Sequence, residues 1–208
     1  ANVLGRRGAR FPWESAHTGF DVTPQTARDR MGNVLPIRTG LIEEHIVADV
    51  AWAASCYADW SGDIAFLQGP GFDLVVDTAR YWASRVRWDR SGRAHIFGVI
   101  GPDEYHEAVD DNAFTNVMAR WNLRRAAALA EGDERVPDFE RLRWLETADA
   151  LIDGYDRRTK VYEQCAGFYE LEPLRIQDLA PKRPIAADLL LGADVVHGAQ
   201  ILKQADVL

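Results

Sequence analysis

The sequence has little of what most often gives a function away. Its 2 cysteines, Cys56 and Cys165, are too few for a disulfide framework, and their use fits a reducing compartment such as the cytoplasm. No apolar run approaches the length of a membrane span, and the first residues show no charged stretch followed by an apolar one. Basic residues are the minority, 24 Lys and Arg against 32 Asp and Glu. The net charge of −8 argues against nucleic acid or an anionic membrane as the partner. His17, His45, His95 and His197 are scattered, with neither H-x-x-x-H nor H-E-x-x-H spacing, so no metal site is expected. His45 falls in an apolar helical pattern and reads as a satisfied core histidine. Walker patterns, Gly-rich phosphate loops and the G-x-S-x-G elbow are also missing.

What is present is a core-forming chain. Apolar residues make up 47% of it and aromatics 10%, including 7 Trp, enough to bury a substantial interior. A length of 208 residues suits one domain or a piece of a larger one. The chain opens on Ala1-Asn2-Val3 and closes on an amphipathic run, residues 200–208, with no capping signal. That run predicts a helix that continues, and the chain is expected to be a segment of a longer protein.

Periodicity predicts a mainly α fold. Residues 1–39 are rich in Gly, Arg and Pro and read as an irregular loop after a short helical tail. Helices are expected over 41–60, through Ile42, Ile46, Val50, Ala53, Ala54 and Tyr57, and over 63–88, interrupted at Gly69-Pro70-Gly71. Residues 93–100 read as a short strand or extended run. Further helices are expected over 112–130, through Phe114, Val117, Met118, Trp121, Leu123 and Ala127, and over 137–153, through Phe139, Leu142, Leu145, Ala148 and Ile152. Residues 159–187 read as extended or looped, and a last helix is expected from Asp194. Helices joined by short turns, with long loops on one side, point to an α/α toroid rather than a parallel α/β sheet.

The segment Gly101-Pro102-Asp103-Glu104-Tyr105-His106-Glu107, followed by Asp110, Asp111 and Asn112, gathers carboxylates, a Tyr and a His around a Gly-Pro turn. Glycosidic cleavage needs a carboxylic acid to protonate the departing oxygen, and further carboxylates and amides to hold sugar hydroxyls. Glu107 is the best acid candidate: a partly apolar setting beside Asp103 and Glu104 would keep it protonated. Asp103 and Glu104 read as hydroxyl acceptors or as supports for the acid, and Asp110, Asp111 and Asn112 as loop-fixing and helix-capping residues. The competing reading is a solvated helix start. In the loop 8–16, Phe11 and Trp13 flank a proline outside any helical period. Trp13 would stack on a pyranose face and Glu14 accept sugar hydroxyls, unless the aromatics simply plug a wall. Lys203-Gln204 suits hydroxyl recognition or a solvated polar stripe, and Glu163-Gln164 is equally a turn.

Five blocks together carry a resemblance. They are Arg10-Phe11-Pro12-Trp13-Glu14-Ser15-Ala16, Glu44 to Asp49, Val99 to Glu107, Asp111 to Asn116 with Trp121-Asn122-Leu123, and Lys203-Gln204-Ala205-Asp206-Val207. In this order the chain resembles glycoside hydrolase family 65, the maltose, kojibiose, nigerose and trehalose phosphorylases with the acid trehalases. The resemblance implies an (α/α)6 catalytic barrel, of which 1–208 would be a central segment truncated at both ends. It implies Glu107 as general acid, Lys203 and Gln204 on glucose before the scissile bond, and Trp13 and Glu14 near the substrate pocket. It implies inverting phosphorolysis to β-glucose 1-phosphate, with phosphate as co-substrate and no cofactor, in a parent that is often a dimer.

The family's upstream Trp-Asp motif, its N-terminal β-sandwich and its downstream Gly-Thr-Ser-rich phosphate loop do not occur in this sequence. The segment alone is therefore expected to lack half its active site, to show no turnover, and to expose apolar helix faces. A trehalase-like hydrolase is the alternative within the family. A non-catalytic carbohydrate-binding helical domain is the alternative outside enzymology.

Overall fold

The computed structural model describes residues 5–29, 31–179 and 186–206. Residues 1–4, where the expected N-terminal helical tail would begin, lie outside the described residues, as do 180–185 of the expected loop and 207–208 of the last helix.

The described residues are mainly helical. After a hairpin of β1 (Thr26–Arg28) and β2 (Val34–Pro36) come α1 (Thr39–Ile42), α2 (Ile46–Ser61), α3 (Ile64–Gln68) and α4 (Pro70–Arg85). A second hairpin pairs β3 (Arg87–Trp88) with β4 (Ala94–His95), and α5 (Ala113–Leu129) and α6 (Asp138–Ala150) follow. A third hairpin, β5 (Tyr155–Asp156) and β6 (Val161–Tyr162), precedes the short helices α7 (Ile176–Leu179), α8 (Ala187–Leu191) and α9 (Ala193–His197).

Local chemistry sets the boundaries. Gly62 takes a left-handed conformation after α2 and its N–H caps Ala58. The Asp63 carboxylate accepts from the Phe66 N–H to start α3, and Pro70 opens α4 as its first residue. The Gly-Pro-Gly interruption is thus a true break between helices. Asn112 accepts from the Thr115 N–H and caps α5.

The main core lies where α4 packs against α2 and α5, and α5 against α6. Trp82, Val75, Val76 and Ala79 of α4 meet Val47, Ala48 and Ala51 of α2 and Ala119, Leu123 and Ala126 of α5 there. The helices were legible, and Ala54, Leu123, Ala127 and Ala148 are buried as the period implies, but other buried positions differ from the expected ones. In α2 and α5 the buried stripe is built of small residues with Asn116 and Asn122, whereas Tyr57 is exposed and Phe114 and Trp121 are half-buried. In α6, Phe139 and Leu142 are 76% and 55% exposed while Trp144, Thr147 and Ala148 face inward. Small side chains let helix backbones approach closely, so bulk alone misleads about which face is buried. The N-terminal loop is pinned to this body. Arg10 donates to the carbonyls of Gly40 and Leu41 at 2.8 and 2.9 Å. Gly8, with φ +76°, lies so close to α4 that a Cβ would stand 2.0 Å from the Asp77 carbonyl.

Past α9 the expected long helix does not form. Residues 198–206 run irregularly, and Ala187, Val196, Ala199 and Ile201 form a small separate core with Tyr105 against it. Tertiary partners described next take up this segment's polar groups, overriding its helical pattern.

Candidate active site

The acidic segment is a loop closed at its neck. Val99 and Val109 exchange backbone hydrogen bonds of 2.9 Å each way, and the Ile100 N–H reaches the Ile42 carbonyl at 3.0 Å. Gly101 is required at the next position, because a Cβ there would lie 2.3 Å from the Asn112 side chain and 2.5 Å from that of Asp206. Asn112 does more than cap α5: its amide also donates to the Asp206 carboxylate at 2.5 Å.

Asp103 is the hub. One carboxylate oxygen accepts from the Lys203 backbone N–H at 2.8 Å, and the other faces His106 Nδ1 at 2.6 Å and accepts from the Gln164 amide at 2.9 Å. Its own N–H donates to Asp206 Oδ1. At 1% exposure with both oxygens engaged, Asp103 holds the site together. Of the two roles the sequence left open, these contacts are those of a support for the loop. His106 Nε2 faces the Ala199 carbonyl at 2.9 Å. Burial disfavours the charged ring, but Asp103 and the Ala199 carbonyl outweigh it and raise its pKa. Burial likewise raises the pKa of Asp206, against the lowering effect of the Asn112 amide and the Asp103 N–H.

Glu104, Lys203 and Gln204 adjoin this hub. Lys203 Nζ donates to Glu104 Oε2 at 2.7 Å, and the Gln204 amide donates to the Pro102 carbonyl at 2.5 Å. Glu104 raises the Lys203 pKa. Two segments 99 positions apart are thereby locked together. Glu107 departs from expectation in its surroundings. Its side chain is 40% exposed and lies 3.7 Å from the Arg38 guanidinium, so the setting is polar rather than partly apolar. Four residues of loop, 108–111, also separate it from the cap, which is Asn112. Trp13 stands edge-on to His45, ring centroids 5.4 Å apart. Glu14 is exposed on the same loop, held through its backbone by Thr23 and Val22, with no polar contact to the acidic loop among the described residues.

Of residues 43–49, which entered the sequence reading only through the block Glu44 to Asp49 and the helical period at Ile46, His45 alone was assigned a role. That ring is satisfied as expected, by Asp49 at 2.6 Å and Glu43 at 3.3 Å, but it heads α2 beside Trp13 rather than sitting inside the core. Burial raises the pKa of Glu43, whose neighbours include His45 and the charges of Glu104 and Lys203. Desolvation opposes charge on His45, yet its two carboxylates lift it to about 9. Since this pKa is raised, the stabilisation is full below the unfolded value of about 6.5 and is lost as pH rises through about 9. Thermal unfolding followed from pH 6 to 10 should show that loss, and His45→Gln should flatten it. Glu44 turns away from the site and grips Arg85 at 2.6 Å, both buried, while Arg85 also donates to the Phe97 carbonyl. Glu44→Gln should cost about 1.5–3 kcal/mol in denaturant unfolding, the usual weight of a charge-assisted hydrogen bond.

The signals for the missed residues were modest. Asp206 lies three residues from Lys203, and Gln164 follows Glu163 in the cluster left open as a turn. Among the described residues no group of three or more His, Cys, Asp or Glu is arranged to hold a metal ion. No described helix is long and apolar enough to cross a membrane.

Comparisons with known proteins identify the family. The model of the glycosyl hydrolase family 65 central catalytic domain matches residues 1–208. The chain belongs to glycosyl hydrolase family 65. Kojibiose phosphorylase of Caldanaerobacter subterraneus subsp. tengcongensis is 36% identical over the whole chain, which spans 29% of that protein's length. Protein-glucosylgalactosylhydroxylysine glucosidase of Mus musculus is 35% identical over 85% of the chain and 24% of its own length. Among solved structures, a putative kojibiose phosphorylase from human microbiome superposes with a TM-score of 0.66 at 20% identity, over 77% of this chain and 25% of that one. This last likeness supports the fold alone. The family 65 segment here is mainly helical, with its polar hub at the junction of the acidic and C-terminal segments.

Proposed function

We propose that this chain is the central part of the catalytic domain of an inverting α-glucosyl disaccharide phosphorylase, converting disaccharide and phosphate to β-glucose 1-phosphate and glucose. The observation that carries the proposal is the Glu104–Lys203 lock, which sets Lys203 and Gln204 beside the loop bearing Glu107. The phosphorylases among its relatives support the same reading.

In the proposed reaction Glu107 gives its proton to the glycosidic oxygen as that oxygen leaves C1 with the bonding electron pair. A phosphate oxygen forms the new bond to C1 from the opposite face. Phosphate arrives as an anion, so no general base is needed. Arg38 stands where it would pair with the Glu107 carboxylate left behind. Lys203 and Gln204 would hold the glucose unit, with Trp13 stacking on the sugar and Glu14 accepting hydroxyls at the entrance. Phosphate is the co-substrate and no cofactor is required.

The helical layers would form part of an (α/α)6 barrel in a single catalytic domain. Trp60, 83% exposed, and the exposed Trp52 and Tyr57 on α2 fit a wall that further helices cover. The parent would be a cytoplasmic protein, and a homodimer is its expected state.

A hydrolytic reading is favoured by one observation, the glucosidase name of the mouse relative. Phosphate dependence decides between them. The full-length protein incubated with kojibiose, maltose or trehalose should release glucose 1-phosphate only when phosphate is present. Release of glucose alone, at a rate indifferent to phosphate, would establish the hydrolase.

A further inference from the structure

We propose that His106 is a positioning residue of this site. As an imidazolium it ties the loop bearing Glu104 and Glu107 to the segment bearing Lys203 and Gln204. The inference rests on the functional reading above but is carried by different geometry. Both ring nitrogens face oxygen acceptors, Asp103 Oδ2 at 2.6 Å and the Ala199 carbonyl at 2.9 Å. A neutral imidazole has one N–H, so one of these contacts would set lone pair against lone pair. The doubly protonated ring makes both, and the buried Asp103 carboxylate compensates its charge.

The surroundings are consistent with a cation. On its own loop the ring meets Asp103, and from the C-terminal segment Asp206 adds a second negative charge. His197, at the end of α9, lies tilted with ring centroids 6.0 Å apart, and Phe168 presents its edge at 5.5 Å. Next to Phe168 in that stretch, burial pushes the Cys165 thiol up to about 12 and keeps it neutral.

The mechanical consequence follows from Asp103. His106 fixes one of its oxygens, and the other then holds the Lys203 N–H at 2.8 Å. At the same time the ring anchors Ala199, the start of the segment that ends in Lys203 and Gln204. Losing the proton breaks one of the two anchors. Sugar grip therefore loosens as pH rises, while the chemistry at Glu107 is affected less.

The test uses the full-length protein. His106→Gln should raise the disaccharide KM by about tenfold, the weight of one hydrogen bond to a charged group, with a smaller change in kcat. The unaltered protein should show a rise of KM at alkaline pH, and the variant should abolish it. Combined with Asp103→Asn, it should add no further loss to that of Asp103→Asn alone. An unchanged KM with the alkaline rise intact, or fully additive losses, would overturn the inference. Nitrogen-15 NMR of the unaltered protein decides independently if the variant does not fold. Both His106 ring nitrogens should carry protons at neutral pH, and a neutral ring there refutes the proposal. Should the unaltered protein cleave no glucoside, the functional reading fails, and the ring's protonation state still tests His106 by itself.

Discussion

Replacing Glu107 by Gln in the full-length protein is expected to lower kcat on the disaccharide by about 10²–10⁴-fold, the range a positioned general acid contributes. The change keeps the size of the side chain and removes its proton. Glu107 is 40% exposed and, among the described residues, pairs with Arg38 at 3.7 Å, so the fold should survive. KM should move little, because Lys203 and Gln204 would still hold the glucose unit. A protein that only binds carbohydrate has no turnover to lose, and its sugar affinity would be the sole quantity to change. Steady-state rates with and without phosphate, together with calorimetric glucose binding, separate the outcomes.

The largest loss of stability is expected at Asp103. Asp103→Ala removes the compensating charge from the buried His106, strips an acceptor from Gln164, and frees the Lys203 N–H. Breaking a buried charge pair by deleting one partner costs about 3–5 kcal/mol, since the other is left uncompensated. Denaturant unfolding should report a loss of that size, and Asp103→Asn, which keeps an oxygen for Lys203, should lose less. Sugar binding should weaken in both, in Asp103→Ala because the Lys203 N–H loses its acceptor and in Asp103→Asn because the charge that holds the His106 ring is gone. Unchanged unfolding in Asp103→Ala would show that the hub holds nothing.

Much of this architecture could be read from the chain, for identifiable reasons. Helix positions followed from the 3.6-residue period, and the break at Gly69-Pro70-Gly71 from backbone chemistry. Their buried faces were partly misjudged because α2 and α5 bury Ala, Ser and Asn and leave Trp52, Tyr57 and Trp121 at or near the surface. The helix expected after Asp194 stops at His197, since Lys203 and Asp206 find better partners in Asp103 and Asn112 than a helix would provide. Periodicity is a local signal and carries no knowledge of partners about a hundred positions away.

The candidate site divides in the same way. Residue type and turn chemistry singled out 101–107, and the resemblance to family 65 joined it to Lys203-Gln204. What neither supplied was the wiring: Arg38 beside Glu107, Gln164 and His106 on Asp103, and Glu43 with His45 behind Trp13. Each of these contacts joins segments, or orients a side chain, in ways that only the folded chain specifies.

The most direct test of the central claim compares two substrates in the Glu107→Gln protein. From a disaccharide the departing sugar alkoxide is a poor leaving group and needs the proton, whereas α-glucosyl fluoride expels fluoride, which leaves without full protonation. The claim predicts a severe loss on the disaccharide and near-normal phosphate-dependent turnover of the fluoride. An equally deep loss on both substrates would contradict it, and the acid would have to be sought elsewhere.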